Sequence, residues 1–126
     1  MASIAKKNVN VRNAPSTSAD ILFQAHFGYP VEVQKTKGSW VQIRDWEGNT
    51  GWVYYPLINR KVQTVLVVPD RVNIRKGPGL KYKVVEQAEG GMIYKLFEEK
   101  GKWVKIGYYL ENEEIGWVRS DMVWGE

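Results

Sequence analysis

The chain has 126 residues, 44% of them hydrophobic and 25% charged, the balance of a globular protein the size of one ordinary domain or two very small ones. It contains no cysteine and a single histidine, His26, which excludes disulfides, thiolate metal sites, cysteine nucleophiles and a multi-histidine zinc centre. The net charge of +4 sits in the first half: residues 1–63 carry eight Lys/Arg against four Asp/Glu, and residues 64–126 carry ten against ten.

Along the chain the apolar pattern has period two. Val31, Val33 and Lys35 alternate with Glu32, Gln34 and Thr36, and Val41 and Ile43 alternate with Trp40, Gln42 and Arg44. Such alternation marks half-buried strands, with Val41 and Ile43 toward the core and Trp40 on the opposite face. Lys37-Gly38-Ser39 and Glu47-Gly48-Asn49-Thr50 supply turns, and Gly51-Trp52-Val53 follows. Residues 60–68 read as a stiff, strand-like connection rather than a Gly/Ser linker. That connection ends in Val65-Leu66-Val67-Val68, the longest uncharged apolar run, far too short to cross a bilayer. No cationic segment followed by an apolar stretch opens the chain, so no intact secretory signal is read there.

The second half repeats the first. Val9-Asn10-Val11-Arg12-Asn13-Ala14-Pro15 returns as Val72-Asn73-Ile74-Arg75-Lys76-Gly77-Pro78, sixty-three positions on. At the same offset Gln24-Ala25 meets Gln87-Ala88, and Trp40-Val41-Gln42-Ile43 meets Trp103-Val104-Lys105-Ile106. Gly51-Trp52-Val53 meets Gly116-Trp117-Val118 two residues later than that, with the extra pair in residues 108–114. A hairpin tip accommodates such an insertion best. No stretch combines helical periodicity, a start cap and length. The expected organisation is all-β, in two copies over residues 1–64 and 65–126, with sixteen aromatics available to fill the cores.

These residues carry a family pattern. Asn10-Val11-Arg12, Pro15-Ser16-Thr17-Ser18, Gly28-Tyr29-Pro30-Val31-Glu32-Val33, the run from Trp40 to Gly48, and Gly51-Trp52-Val53 together resemble the bacterial SH3-like (SH3b) domain. Asn73-Ile74-Arg75, Gly77-Pro78-Gly79, Gly101-Lys102-Trp103 and Gly116-Trp117-Val118 resemble it a second time, and Trp124-Gly125 closes the pattern. The resemblance covers nearly the whole chain and is to tandem SH3b domains of exported bacterial proteins. It implies two tandem SH3-like small barrels, each of about five short strands with a one-turn helix before the last. The first long loops would be residues 13–19 and 76–82, the distal hairpins 45–50 and 107–114, and the helical turns 54–57 and 119–122. Ala14 stands where the family has glycine, so the tight turn there is expected to differ.

Catalytic chemistry has little to work with. A general acid–base pair needs one carboxyl desolvated beside another that stays ionised. Asp45 with Glu47, Glu98 with Glu99 and Glu113 with Glu114 read instead as solvated loop charges. His26 lacks partners and reads as a surface or packing residue. No catalytic residue, metal or cofactor is expected.

Binding has more. The resemblance extends distantly to eukaryotic SH3 domains, whose ligand groove uses a tryptophan at the place of Trp40 and residues near the helical turn, matching Tyr54 and Leu57. Trp40 either lines such a groove or packs under the first long loop; Trp103, with Arg119 and Met122, is the weaker equivalent and leans toward packing. Trp46, Tyr29, Tyr55 and Arg44 enlarge the aromatic, cationic character of the first copy, which suits sugar rings, peptides or stacked bases. Arg12 and Arg75 end the first strand of each copy, where a planar guanidinium can hold loop carbonyls. Trp52 and Trp117, flanking inward Val53 and Val118, read as structural.

The expected function is a non-enzymatic binding module of the bacterial SH3 type in the extracytoplasmic cell envelope, with peptidoglycan or a peptide as ligand. Protein–protein scaffolding without wall affinity is the alternative. Nucleic-acid binding by a basic small barrel is the remote one.

Overall fold

Branched aliphatics at alternate positions favour short strands that pleat against one another. The computed structural model describes all 126 residues. They form two compact units, Met1 to Val62 and Gln63 to Trp124.

The first unit contains β1 (Ala2–Ile4), β2 (Val9–Arg12), β3 (Ile21–Ala25), β4 (Pro30–Lys37), β5 (Trp40–Arg44), β6 (Thr50–Tyr54) and β7 (Ile58–Asn59). A 3-10 turn, Tyr55–Leu57, separates the last two. The second contains β8 (Thr64–Val67), β9 (Arg71–Arg75), β10 (Val84–Glu89), β11 (Ile93–Lys100), β12 (Trp103–Tyr108), β13 (Glu113–Arg119) and β14 (Val123–Trp124), with a 3-10 turn at Ser120–Met122. Each unit is one antiparallel sheet, in the orders β3-β2-β6-β5-β4-β1-β7 and β10-β9-β13-β12-β11-β8-β14. Both are SH3-like. There are seven strands rather than five because the short segments before and after each barrel also pair. Of the strand-like stretch read as a connection, residues 64–67 form β8, which hydrogen-bonds to β11 and β14.

The cores correct the expectation about aromatics. The largest fully buried side chains are four isoleucines and eight valines, among them Ile4, Ile43, Ile74 and Ile106. Of the sixteen aromatics only Tyr94 and Trp117 are buried. A curled sheet of about sixty residues encloses too little volume for many rings, so they pack on its outer face.

The repeated motif residues have repeated jobs. Gln24 Nε2 donates to Asn10 Oδ1 at 2.9 Å, and Gln87 Nε2 donates to Asn73 Oδ1 at 2.9 Å, a cross-strand pair that ties β2 to β3 and β9 to β10. Arg12 Nη1 donates to the Ala19 carbonyl at 2.9 Å. Arg75 Nη1 donates to the Leu80 and Tyr82 carbonyls at 3.1 and 3.0 Å. The glycine of each Gly-Trp-Val serves close approach: a Cβ on Gly51 would strike Val11, and one on Gly116 the Arg75 carbonyl. Without it β6 could not meet β2, nor β13 meet β9.

A β-bulge changes one face assignment. Val33 lies opposite Ile43, but Lys35 lies opposite Gln42, so the register slips at Gln34. Lys35, which strict alternation would aim at the core, therefore shares the outer row of Gln42 and Trp52. Its ammonium sits over the Trp52 ring, 5.8 Å from the centroid. The same bulge in β11 puts Glu98 opposite Lys105. There the cation over the ring is Lys105, 5.4 Å from Trp117, held by Glu98 and Glu114 at 3.3 Å each.

The turn at Ala14 is not altered. Ser16 N–H donates to the Ala14 carbonyl at 2.8 Å and Asn13 N–H to Asp20 at 3.0 Å; Gly79 to Gly77 at 2.9 Å and Lys76 to Lys83 at 2.8 Å match them. The difference lies in what the loop encloses. In the second unit the Tyr82 ring lies on Gly77, where a Cβ would come 2.5 Å from it. In the first unit the residue at the Tyr82 position is Ala19, which leaves room for the Ala14 methyl. Gly77→Ala should therefore cost about 1–3 kcal/mol in denaturant unfolding, the usual range for overpacking. In a Tyr82→Ala background the cost should fall below about 0.5 kcal/mol, a coupling read from the double-mutant cycle.

Candidate functional site

The alternation that buries Val41 and Val53 turns their neighbours Trp40 and Tyr54 outward, directly opposite each other across β5 and β6. Their ring centroids are 5.7 Å apart with planes tilted by 59°, an attractive geometry for two aromatic quadrupoles. Tyr54 is also the extended N-cap residue of the 3-10 turn, and Pro56 favours that turn at its start. Tyr55 N–H donates to the Ser39 carbonyl at 2.7 Å, pinning the turn to the β4–β5 hairpin. Leu57 then closes the same wall, and its carbonyl accepts from Ala5 N–H at 2.9 Å.

These three side chains form one side of a groove of about 310 Å³. The opposite side is the segment entering β2, with Lys6, Lys7, Asn8, Val9 and Asn10, and the rim continues through Arg12 and Thr17. Lys6, Lys7 and Asn8 were not among the residues singled out from the sequence. The offset comparison carried the signal: Lys6-Lys7-Asn8 stands where the second copy has Pro69-Asp70-Arg71, and the charge excess belongs to the first half.

The other candidates lie elsewhere. Tyr29 lines a second, larger depression of about 500 Å³ with Leu22, Phe23, Asp45, Glu47, Asn49 and Thr50. Trp46 is exposed at the tip of the same hairpin. Arg44 is bonded at 2.9 Å to Glu32 on the neighbouring strand, which holds that carboxylate below its usual pKa range. Tyr55 is exposed beyond the groove. Trp40, Tyr54 and Leu57 thus converge, and Tyr29, Trp46, Tyr55 and Arg44 do not line that groove.

Asp45 corrects a further expectation. It is 3% exposed rather than solvated. Its Oδ1 accepts from Glu47 N–H at 3.0 Å and Asn49 N–H at 2.8 Å, and its Oδ2 from Asn49 Nδ2 at 3.3 Å. The carboxylate is the organiser of the hairpin turn, and its lone pairs are engaged there. The larger depression is therefore walled in part by groups already committed to holding the turn, whereas the groove presents aromatic side chains and ammonium groups without ion-pair partners. His26 is exposed.

The second unit has a smaller groove at the same place, about 140 Å³, with Trp103, Arg119, Met122, Arg75 and Leu80 in its lining. Arg119 lies opposite Trp103 where Tyr54 lies opposite Trp40. Its guanidinium is turned to Asp121, with nitrogen-to-oxygen distances of 3.2 Å.

Comparison with known proteins places this architecture. The sequence profile of the bacterial SH3 domain matches residues 5–59 and again residues 68–125. The chain belongs to the bacterial SH3 domain family. YrvJ of Bacillus subtilis, assigned as an N-acetylmuramoyl-L-alanine amidase, is 31% identical over 132 residues, covering 97% of this chain and 25% of YrvJ. LytH of Staphylococcus epidermidis, assigned as a cell wall amidase, is 30% identical over 53 residues, covering 42% of this chain and 18% of LytH. The tandem SH3 chain thus spans about a quarter of the length of YrvJ and less of LytH. Among solved structures, an NlpC/P60 family protein from Bacillus cereus aligns with a TM-score of 0.44 and 17% identity, over 99% of this chain and 56% of that one. NlpC2 from Trichomonas vaginalis aligns with a TM-score of 0.45 and 13% identity, over 99% and 47%.

Two hydroxyls in the SH3 units are held neutral to high pH. Burial, followed by the charges of Asp45 and Glu47, pushes the Tyr29 phenol up to about 12, and burial with Glu86, Tyr108 and Glu89 pushes Tyr94 up to about 12. Unfolded tyrosines ionise from about 10. The folded state then binds more protons, so stability falls as pH rises from about 10 to about 12. In denaturant melts across that window, Tyr29→Phe/Tyr94→Phe should lose stability less steeply than the parent chain.

Proposed function

We propose that this chain is a non-enzymatic binding module that attaches to bacterial cell-wall peptidoglycan, outside the cytoplasmic membrane, through the groove of its first SH3 unit. The observation that carries the reading is the open wall of Trp40, Tyr54 and Leu57 beside the entry to β2. A half-buried indole and an exposed phenol set at an angle give a ligand apolar contact area at low entropic cost, and the free ammonium groups at the rim add polar specificity. The two relatives assigned as amidases of wall material support that ligand class and an envelope location. Binding rather than catalysis fits the composition: the lone histidine is exposed, and the buried carboxylate Asp45 is spent on its turn. The second unit, with a groove less than half as large, serves as the weaker contact.

Retention on purified peptidoglycan sacculi tests this reading directly. The parent chain should sediment with them at low salt, and Trp40→Ala or Tyr54→Ala should weaken retention about tenfold, as for an aromatic anchor. Trp103→Ala should weaken it less. Absence of retention by the parent chain would defeat the wall-binding reading and leave a module for protein partners.

A further inference from the structure

The groove of the first unit is two-natured. Its lining joins the aromatic and aliphatic side chains of Trp40, Tyr54 and Leu57 to the ammonium groups of Lys6 and Lys7, with no carboxylate. Both lysines are exposed, and neither is ion-paired. Their position has a backbone cause. Asn8 has φ of 49°, the left-handed conformation that asparagine tolerates better than most residues. The chain bends over residues 6–8 between β1 and β2, and the two residues just before Asn8 line the groove. The second unit has neither feature: its segment reads Pro69-Asp70-Arg71, without a left-handed residue. Of its groove cations, Arg119 is paired with Asp121 and Arg75 holds loop carbonyls.

Resting on the reading of this groove as the ligand site, we infer that it takes an extended peptide bearing a free carboxylate. The carboxylate sits on Lys6 and Lys7, and the peptide's apolar part lies along Trp40, Tyr54 and Leu57. Charge complementarity selects an anion, and the distribution of charge selects a peptide. Two adjacent ammonium groups without an ion-pair partner, with the third cation of the lining, Arg12, turned to the Ala19 carbonyl, match a ligand with a localised negative group. A nucleic acid or another polyphosphate carries charge at every repeat and would call for cations along the whole track. The first unit alone has this property, so the two units of the tandem differ in specificity rather than duplicating one another.

The test uses the full chain and two probes: the pentapeptide L-Ala-γ-D-Glu-L-Lys-D-Ala-D-Ala with free carboxylates, and the same peptide with every carboxyl amidated. Calorimetric titration at low salt should show the free acid binding about tenfold tighter, the scale of a charge-assisted contact. The preference should shrink at high salt. In Lys6→Gln/Lys7→Gln the preference for the free acid should vanish, the two peptides binding alike, while the melting temperature stays that of the parent chain. Equal binding of acid and amide by the parent chain overturns the inference, as does a preference that survives the double substitution, or failure of both peptides to bind. Tighter binding of an oligothymidylate than of the peptide overturns it in favour of a nucleic acid. Trp40→Ala separates the two levels. If it abolishes binding of both peptides while the parent does not distinguish them, the groove stands and the carboxylate seat falls. If it leaves both affinities intact, the groove itself is the wrong site.

Discussion

The interior of each unit is filled by branched aliphatic side chains, and that constraint shapes everything outside it. A sheet of about sixty residues curled on itself has a narrow core, and valine and isoleucine fill it without voids while fitting the pleat. Their burial is the main source of stability in a chain without cysteine. The consequence is a surplus of rings with nowhere to go but the surface. Trp40, half-buried, and Tyr54, exposed, are turned outward by the same alternation that buries Val41 and Val53. The groove wall is therefore the reverse side of the core rather than an addition to it.

The two copies keep their interactions more faithfully than their residues. A lysine lies over the Gly-Trp-Val indole in both, but it comes from β4 in one and from the middle strand β12 in the other. Gln42 and Glu98 occupy the complementary positions, so the exchange moves a cation across one strand pair without moving it off the ring. The first loop behaves likewise: alanine at 14 with alanine at 19, glycine at 77 with tyrosine at 82. In each case two positions changed together and the backbone hydrogen bonds stayed. What is retained is a contact, and the side chains are its interchangeable means.

The grooves depart from that rule. Opposite the tryptophan stands Tyr54 in one unit and Arg119 in the other, and the arginine is neutralised by its neighbour. The entry to β2 carries two free ammonium groups, while the corresponding segment of the second unit carries a proline and an aspartate. Positions that close the barrel are constrained by packing, and those at the rim are free to follow the ligand. The divergence is concentrated where the surface is concave.

Period-two alternation, the sixty-three-residue repeat and the turn residues already determined an all-β chain in two copies, since side-chain alternation and turn chemistry are local properties; that each copy is a small barrel was implied by the family resemblance. The convergence of Trp40 with Tyr54 and Leu57 was also legible, through the family resemblance and the placement of the helical turn. Other features waited on the tertiary structure because they depend on register and on backbone reversal. The bulge at Gln34 moved Lys35 to the outer face, and pairing of flanking segments made β1, β7, β8 and β14 part of the sheets. Asp45 became buried because its hairpin folds back on it. Tyr29, Trp46, Tyr55 and Arg44 fall outside the groove: Arg44 shares the face of Trp40 but lies at the far end of β5, bonded to Glu32, Trp46 is carried off at the hairpin tip, and Tyr29 lines the other depression. Lys6 and Lys7 reached the groove through one left-handed asparagine, a single dihedral angle that no periodicity records.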